Sequence, residues 1–164
     1  MKTIQLICIL IITSCASKKE ISTLNNQTIQ LESDCPSDGK CEIKVLQNQS
    51  LEINKDEFGS IFYKLKSDNS KSVVVYKYDR NIPEGVQDGS YREEIILEYD
   101  NQTKEFINEK SLFGRFCYCK GQTGYYKIEQ NVEKSIGQKG NFQLKFDIKV
   151  VPQVVKNLKF YINK

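Results

Sequence analysis

This 164-residue chain contains no histidine. Histidine is the commonest general base near neutral pH and a standard ligand of catalytic zinc, so its absence excludes Ser-His-Asp and Cys-His catalysis and the usual zinc hydrolase sites. Any enzymatic chemistry would depend on carboxylates, lysine or tyrosine. The main catalytic arrangement that remains is a pair of carboxylates, as in glycosidases. The candidate residues are Glu93, Glu94 and Glu98, with Glu84 as a weaker one. Glu94 and Glu98 also fit a solvated strand face, Glu84 lies in a Pro-Glu-Gly turn, and no pair of acids stands out from the rest. We therefore expect a protein that is not an enzyme.

The chain also lacks a dense basic patch. Its formal net charge is only +3, and acidic and basic residues are interleaved along the sequence. Nucleic-acid binding requires lysine and arginine clustered on one face. We therefore expect no nucleic-acid partner.

Helical periodicity is missing as well, and residues 151–156 are the only weak helix candidate. The clearest pattern is in residues 142–150, where five apolar residues alternate with four polar ones, as in a half-buried strand. The other strand-like segments are residues 42–46, 60–66, 72–78, 91–99, 112–119, 125–133 and 158–162, separated by turn sequences such as Ser-Asp-Asn-Ser at 67–70. The fold class is therefore all-β, an antiparallel β-sandwich or small barrel of about eight to nine short strands.

The one sustained apolar run is at the N-terminus. Residues 4–12 are apolar except for Gln5 and follow the positive charge of Lys2, which is the anatomy of a secretory signal. The run is too short to span a bilayer, which takes about 20 apolar residues. No other apolar run approaches that length.

The end of this run, Ile12-Thr13-Ser14-Cys15, resembles the lipobox of bacterial lipoproteins. The resemblance implies that Cys15 is acylated with fatty acids such as palmitate, becomes the mature N-terminus and anchors the chain to the cell envelope. Ala16 stands where some lipoproteins carry an inner-membrane retention aspartate, which favours the outer membrane. An ordinary secretory signal is the alternative.

Composition divides the chain into three parts. Residues 1–14 are the expected lipoprotein signal peptide. Residues 15–34 are polar and are expected to form the lipidated cysteine and a flexible stalk, although residues 28–31 could pair as an edge strand. Residues 35–164 are expected to form a single β domain.

Four cysteines remain in the mature domain: Cys35, Cys41, Cys117 and Cys119. An even number of cysteines in an exported domain indicates disulfides. A local Cys35–Cys41 turn is plausible, but it leaves Cys117 paired with Cys119 in a very small ring. We therefore slightly favour two bridges that join the 35–41 segment to the 117–119 strand. The spacings do not match structural zinc motifs, so we expect no metal and no cofactor, with a redox or Cu(I) role as the alternative.

One segment is unusually rich in aromatics, cysteine and glycine. Residues 113–126 are expected to form a hairpin with its tip at residues 120–124. If the cysteines face the core, an exposed surface remains that would suit a sugar, peptide or protein partner. The candidate surface residues are Arg115, Phe116, Tyr118, Lys120 and Tyr125. The alternative is a central hairpin covered on both faces.

Three function classes follow from these observations. We expect a non-catalytic binding or structural module of the bacterial envelope, whose partner is an envelope protein or glycan besides the membrane that holds its anchor. The second class is a protein inhibitor of an envelope-targeting hydrolase, which needs a protruding loop such as residues 120–124. The third is a carboxylate-dependent hydrolase, which needs two acids in one groove. The oligomeric state is not predicted.

Overall fold

A computed structural model describes residues 21–24, 27–129, 133–136 and 141–163. The expected signal peptide and Cys15 lie outside the described residues. The described strands are β1 (Ile21–Leu24), β2 (Gln27–Leu31), β3 (Gly39–Lys55), β4 (Ile61–Arg80), β5 (Tyr91–Asp100), β6 (Glu105–Cys117), β7 (Gly124–Lys127), β8 (Glu133–Ile136), β9 (Asn141–Lys145) and β10 (Asn157–Asn163).

These strands form two antiparallel five-stranded sheets, in the orders β3-β4-β5-β6-β7 and β1-β2-β10-β9-β8. The all-β sandwich expected from the alternating segments is therefore confirmed. The count is ten strands in the described residues, and two of them, at 17 and 20 residues, are long rather than short.

The main core lies between the two sheets. On β5 the side chains of Ile95, Leu97 and Tyr99 point into it, as period-two alternation requires. Aromatic rings join the sheets: Phe106 of β6 lies 4.3 Å from Phe142 of β9, centroid to centroid. Full burial of such side chains stabilises the fold by roughly 1.5–3 kcal/mol each.

The β3–β4 hairpin bends in its middle. The register shifts between Gln47 and Gln49, where Asn48 has a positive φ of 56° and residues 68–71 of β4 bulge out. Asp68 stabilises the bulge by accepting hydrogen bonds from the backbone and side chain of Ser70. The turn expected at residues 67–70 is therefore wrong. The Ser-Asp-Asn-Ser sequence forms part of a β-bulge instead, and the segments 60–66 and 72–78 belong to one strand.

The bend folds the distal half of the hairpin over the outer face of its own sheet. It covers a second apolar cluster of Leu51, Val73, Ile96 and Leu112. At the far end Ile61 pairs with β7, so this sheet partly closes on itself.

The domain begins earlier than residue 35. Strand β2 pairs with β10 in the second sheet, and its Ile29 and Leu31 are buried in the main core. Strand β1 in turn pairs with β2. The flexible stalk expected over residues 15–34 is therefore wrong for β1 and β2, because Ile29 and Leu31 alternate with polar residues and bury one face of β2. The strand considered at residues 28–31 is present, but it pairs on both sides and is not an edge strand.

The C-terminal prediction also needs correction. The strand expected at 142–150 ends at Lys145. Phe146 and Ile148 stay buried, but the chain leaves the ladder and Val150 is 74% exposed. Gln153 secures the loop by accepting a hydrogen bond from the Ile148 N–H at 2.5 Å. No helix forms at residues 151–156, which the structure describes in full.

Candidate functional site

Both disulfides lie at one end of the β3–β7 sheet. The sheet register places Cys41 opposite Tyr78, and it places Cys117 opposite Tyr91. We call this region, which comprises residues 35–41, 78–92 and 115–124, the disulfide end.

The disulfides are local. Cys35 bonds Cys41 and Cys117 bonds Cys119, so the favoured pairing between the two segments is wrong. Sheet order supplies the physical reason. Strands β4 and β5 lie between β3 and β6, and three strand spacings separate Cys41 from the 117–119 segment by about 14 Å. Disulfide-bonded Cα atoms are at most about 7 Å apart.

A buried polar cluster lies behind the disulfide end. The carboxylate of Glu93 is fully buried and accepts hydrogen bonds from the backbone N–H groups of Val154 and Val155, both at 2.7 Å. The hydroxyl of Tyr91 donates a further hydrogen bond to Glu93. Burial, and then this bond to Glu93, raises the pKa of Tyr91, which keeps its hydroxyl protonated. Glu93 therefore holds the loop after β9 against β5.

Arg115 belongs to this cluster and not to the surface. It is only 6% exposed, and its Nη1 donates to the Gln122 carbonyl at 3.1 Å. The backbone carbonyl of Arg115 accepts from the Thr123 hydroxyl at 3.1 Å. The expectation of an exposed Arg115 is therefore wrong. Its guanidinium braces the hairpin tip from within.

The two other arginines, Arg80 and Arg92, stack on aromatic rings. The Arg80 guanidinium lies 4.4 Å from the Tyr91 ring centroid, and that of Arg92 lies 4.6 Å from the Phe116 centroid. Such cation–π contacts contribute about 0.5–1 kcal/mol at exposed sites.

Carboxylates pair with both guanidiniums. Arg80 Nε lies 3.1 Å from an Asp38 oxygen and Arg92 Nε lies 3.1 Å from a Glu94 oxygen. A hydrogen bond from Tyr78, assisted by the charge of Arg80, lowers the pKa of Asp38. The two charge-paired arginines lie on opposite faces of the sheet, Arg80 with Tyr91 on the inner face and Arg92 with Phe116 on the outer face.

A groove of about 500 Å³ at the disulfide end is lined by both arginines and by the rings on which they stack. Tyr118, which is 83% exposed, and Ile82, which is 49% exposed, both line it. Val86 is 48% exposed and lies close to Ile82. The groove thus combines an exposed aromatic ring, aliphatic side chains and fixed polar groups, an arrangement suited to binding.

Of the predicted surface residues other than Arg115, Phe116 and Tyr125 are in contact, with ring centroids 5.2 Å apart. Tyr118 and Lys120 are exposed at the hairpin tip, and Phe116 lines the groove. Tyr125 lies on the outer face, with its ring 5.3 Å from that of Tyr63 and its hydroxyl donating to Glu94 at 3.0 Å. Burial, and then the charge of Glu94, raises the pKa of Tyr125.

Sequence reasoning missed Arg80, Ile82, Val86 and Arg92. The usable signal was a Pro/Gly-containing loop, residues 81–90, that contains Ile82 and Val86 and is flanked by Arg80 and Arg92. Nothing in the local sequence places that loop beside residues 118–123.

The structure does not bring the candidate acids into one groove. Glu93 points between the sheets, whereas Glu94 and Glu98 point to the opposite face of β5. Glu98 is almost fully buried and accepts a hydrogen bond from the Leu51 N–H at 2.5 Å. Each acid has a structural partner, and Glu84 lies in the exposed 81–90 loop.

A second, wider cleft of about 970 Å³ lies beside β7 and the segment that follows β9. Lysines on its rim, including Lys55 and Lys149, alternate with Glu129 and Asp147. Within the described ranges, no group of three or more histidine, cysteine or acidic side chains is placed to hold a metal ion. Those ranges also contain no helix with the length and apolar character needed to cross a bilayer.

Comparison of the chain with protein-family models, with curated proteins and with solved structures finds no match.

Proposed function

We propose that this chain is a bacterial envelope lipoprotein, anchored through Cys15 and more specifically to the outer membrane. Its β domain acts as a non-catalytic binding or structural module that contacts its partner through the disulfide end. The lipobox-like sequence at residues 12–15 supports the anchor. The proposed partner is an envelope component, and no cofactor is required.

The observation that carries the proposal is the rigid presentation of Tyr118. Its ring is 83% exposed, although the flanking cysteines bond to each other and Arg115 braces the tip from below. Tyrosine has only two side-chain torsions to fix, so on a constrained backbone it loses little conformational entropy on binding, and it is common at binding hot spots.

The separation of the acids supports the non-catalytic part. A glycosidase needs two carboxyl groups facing each other across a substrate groove, about 5–10 Å apart. Here Glu93 and Glu98 lie on opposite faces of β5 and accept backbone hydrogen bonds. A hydrolase would have to use acids outside this strand.

The braced tip also supports one alternative, a protein inhibitor of an envelope-targeting hydrolase. Inhibitory loops bind well when they are held in one conformation before contact. A lysozyme-class hydrolase assayed with and without the protein tests it. Inhibition that is lost on Lys120→Ala would favour this alternative over a purely structural module.

The main proposal is tested in two steps. Labelled palmitate should enter the full chain and not its Cys15→Ser variant, and absence of label in both overturns the anchor. The mature Cys15→Ser chain, which has no lipid, should still sediment with isolated envelopes. Tyr118→Ala should reduce that fraction several-fold, whereas the matched control Phe58→Ala, at another exposed aromatic, should not. Equal sedimentation of all three proteins would contradict the assigned surface.

A further inference from the structure

The direction of β1 shows where the chain enters the domain. Ser22 Oγ accepts from the Val45 N–H at 3.2 Å, and the Thr23 carbonyl accepts from the Gln47 side chain at 3.3 Å. Strand β1 therefore runs beside β3 in the same direction. The N-terminal end of β1 therefore points towards the beginning of β3 at the disulfide end, although Ser22 itself lies beside Val45, six positions beyond Gly39.

The second sheet gives the same direction independently. Ile21 pairs with Gln30 of β2, close to the point where β2 leads through Leu31 to Cys35. The chain thus enters β1 from the disulfide end.

The distance from the anchor is short. Cys15 stands six positions before Ile21, and six residues span at most about 22 Å when fully extended. A lipidated Cys15 therefore keeps Ile21 within about 22 Å of the bilayer surface. This step rests on the proposed anchoring at Cys15.

The disulfide end carries side chains that suit a lipid interface. Tyr118 is 83% exposed, and Ile82 and Val86 are about half exposed. Tyrosine is favoured at bilayer interfaces because its ring is apolar and its hydroxyl stays hydrated. Exposed lysines and acids are interleaved around these residues. We therefore expect the contact to depend on apolar insertion more than on charge.

We propose that the disulfide end rests on the bilayer that holds the lipid anchor, with Tyr118, Ile82 and Val86 inserted at the headgroup level. The anchor supplies most of the affinity, and the patch adds to it and fixes the orientation of the domain, with the β5–β6 turn at residues 101–104 away from the membrane. The occupant of the disulfide end is thus the lipid surface.

Tryptophan fluorescence tests this orientation, because the chain has no tryptophan of its own. The substitutions are Tyr118→Trp and, as the matched control, Phe58→Trp. Phe58 is 85% exposed in the turn between β3 and β4 and lies outside the disulfide end. Each lipidated full chain is reconstituted in phosphatidylethanolamine–phosphatidylglycerol vesicles with or without brominated acyl chains.

We expect the brominated lipid to quench position 118 several-fold more than position 58, with a blue shift at 118 only. Added Ile82→Asp should abolish this difference without changing the urea midpoint. Equal quenching at the two positions, or a difference that survives Ile82→Asp, overturns the proposal. If position 118 is shielded only in isolated envelopes and not in vesicles, the occupant is a protein or glycan, and the lipid proposal is overturned as well.

Vesicle flotation separates the two possible failures. Protein that floats with the vesicles but is unquenched at 118 overturns the orientation and leaves the anchor in place. Protein that does not float overturns the anchor, and the orientation with it.

Discussion

Glu93 provides the sharpest prediction about stability, because it is a fully buried carboxylate with an identified set of partners. Its two oxygens accept from the Val154 and Val155 N–H groups at 2.7 Å, and Tyr91 donates a third hydrogen bond. The informative change is Glu93→Gln, which keeps the size of the side chain but replaces one acceptor oxygen with a donor group.

The magnitude follows from these contacts. Hydrogen bonds to a charged group contribute about 1.5–3 kcal/mol, and a buried N–H left without a partner costs about 1–3 kcal/mol. In Glu93→Gln one of the two N–H groups faces an amide donor, so we expect a loss of about 2–3 kcal/mol. Glu93→Ala removes all three bonds and leaves a cavity, and we expect a loss of about 4 kcal/mol. Domains of this size are stable by roughly 5–15 kcal/mol in total.

Urea unfolding of the oxidised protein measures this loss. With a slope of about 2 kcal/mol per molar urea, Glu93→Gln should lower the midpoint by about 1 M. The control is Glu94→Gln, the next residue on the opposite face of β5: the new side chain keeps an oxygen that can accept from Tyr125, and the side chain of the ion-pair partner Arg92 is 41% exposed. It should cost less than about 1 kcal/mol. A Glu93→Gln variant as stable as the unmodified protein would refute the conclusion that Glu93 holds the loop after β9 against β5. It would also reopen a chemical role for Glu93.

Three further predictions test other parts of the structure. Trypsin digestion without reductant should release residues 116–120 as one peptide lighter by two hydrogens, and a peptide joining this segment to Cys41 would contradict the local pairing. Asn48→Ala should destabilise the bend by about 1 kcal/mol because alanine resists positive φ, whereas Asn48→Gly should be close to neutral in the same urea assay. A hydrogen bond from Lys71, with backbone bonds from residues 102 and 103, lowers the pKa of Asp100 to about 2. Since a depressed pKa stabilises the folded state above the unfolded value near 3.8, the stability difference between the protein and Asp100→Asn should shrink as the pH falls from about 4 to 2. A difference independent of pH in that range would refute this pairing.

The sequence predicts an element of this fold correctly where a residue pattern is compatible with only one local structure. Alternation in residues 91–99 identifies β5, because period two brings Ile95 and Leu97 to one buried face. It identifies the start of β9 in the same way. The Ser-Asp-Asn-Ser sequence at 67–70 is different, because the same turn chemistry serves a turn or a bulge, and only the register with Gln47 and Gln49 decides between them.

The site is less predictable because it depends on which strands become neighbours. The aromatic and cysteine content of residues 113–126 indicates the hairpin, and Tyr118 is exposed at its tip. Burial of Arg115 depends on Tyr91 and Gln122, and only one of these is close in sequence. The disulfide pairing depends on two strands that separate β3 from β6. Neither relation can be derived from local patterns.

Site-specific photo-cross-linking in intact cells tests the central claim, that the disulfide end is the contact surface of an anchored module, most directly. A photoreactive amino acid replaces Tyr118 in one full-length chain and Phe58 in another, two aromatic positions of similar exposure. The account predicts an abundant envelope adduct from position 118 and little from position 58, and the mass of the adduct identifies lipid, glycan or protein. No adduct at 118, or equal adducts at both positions, would contradict it.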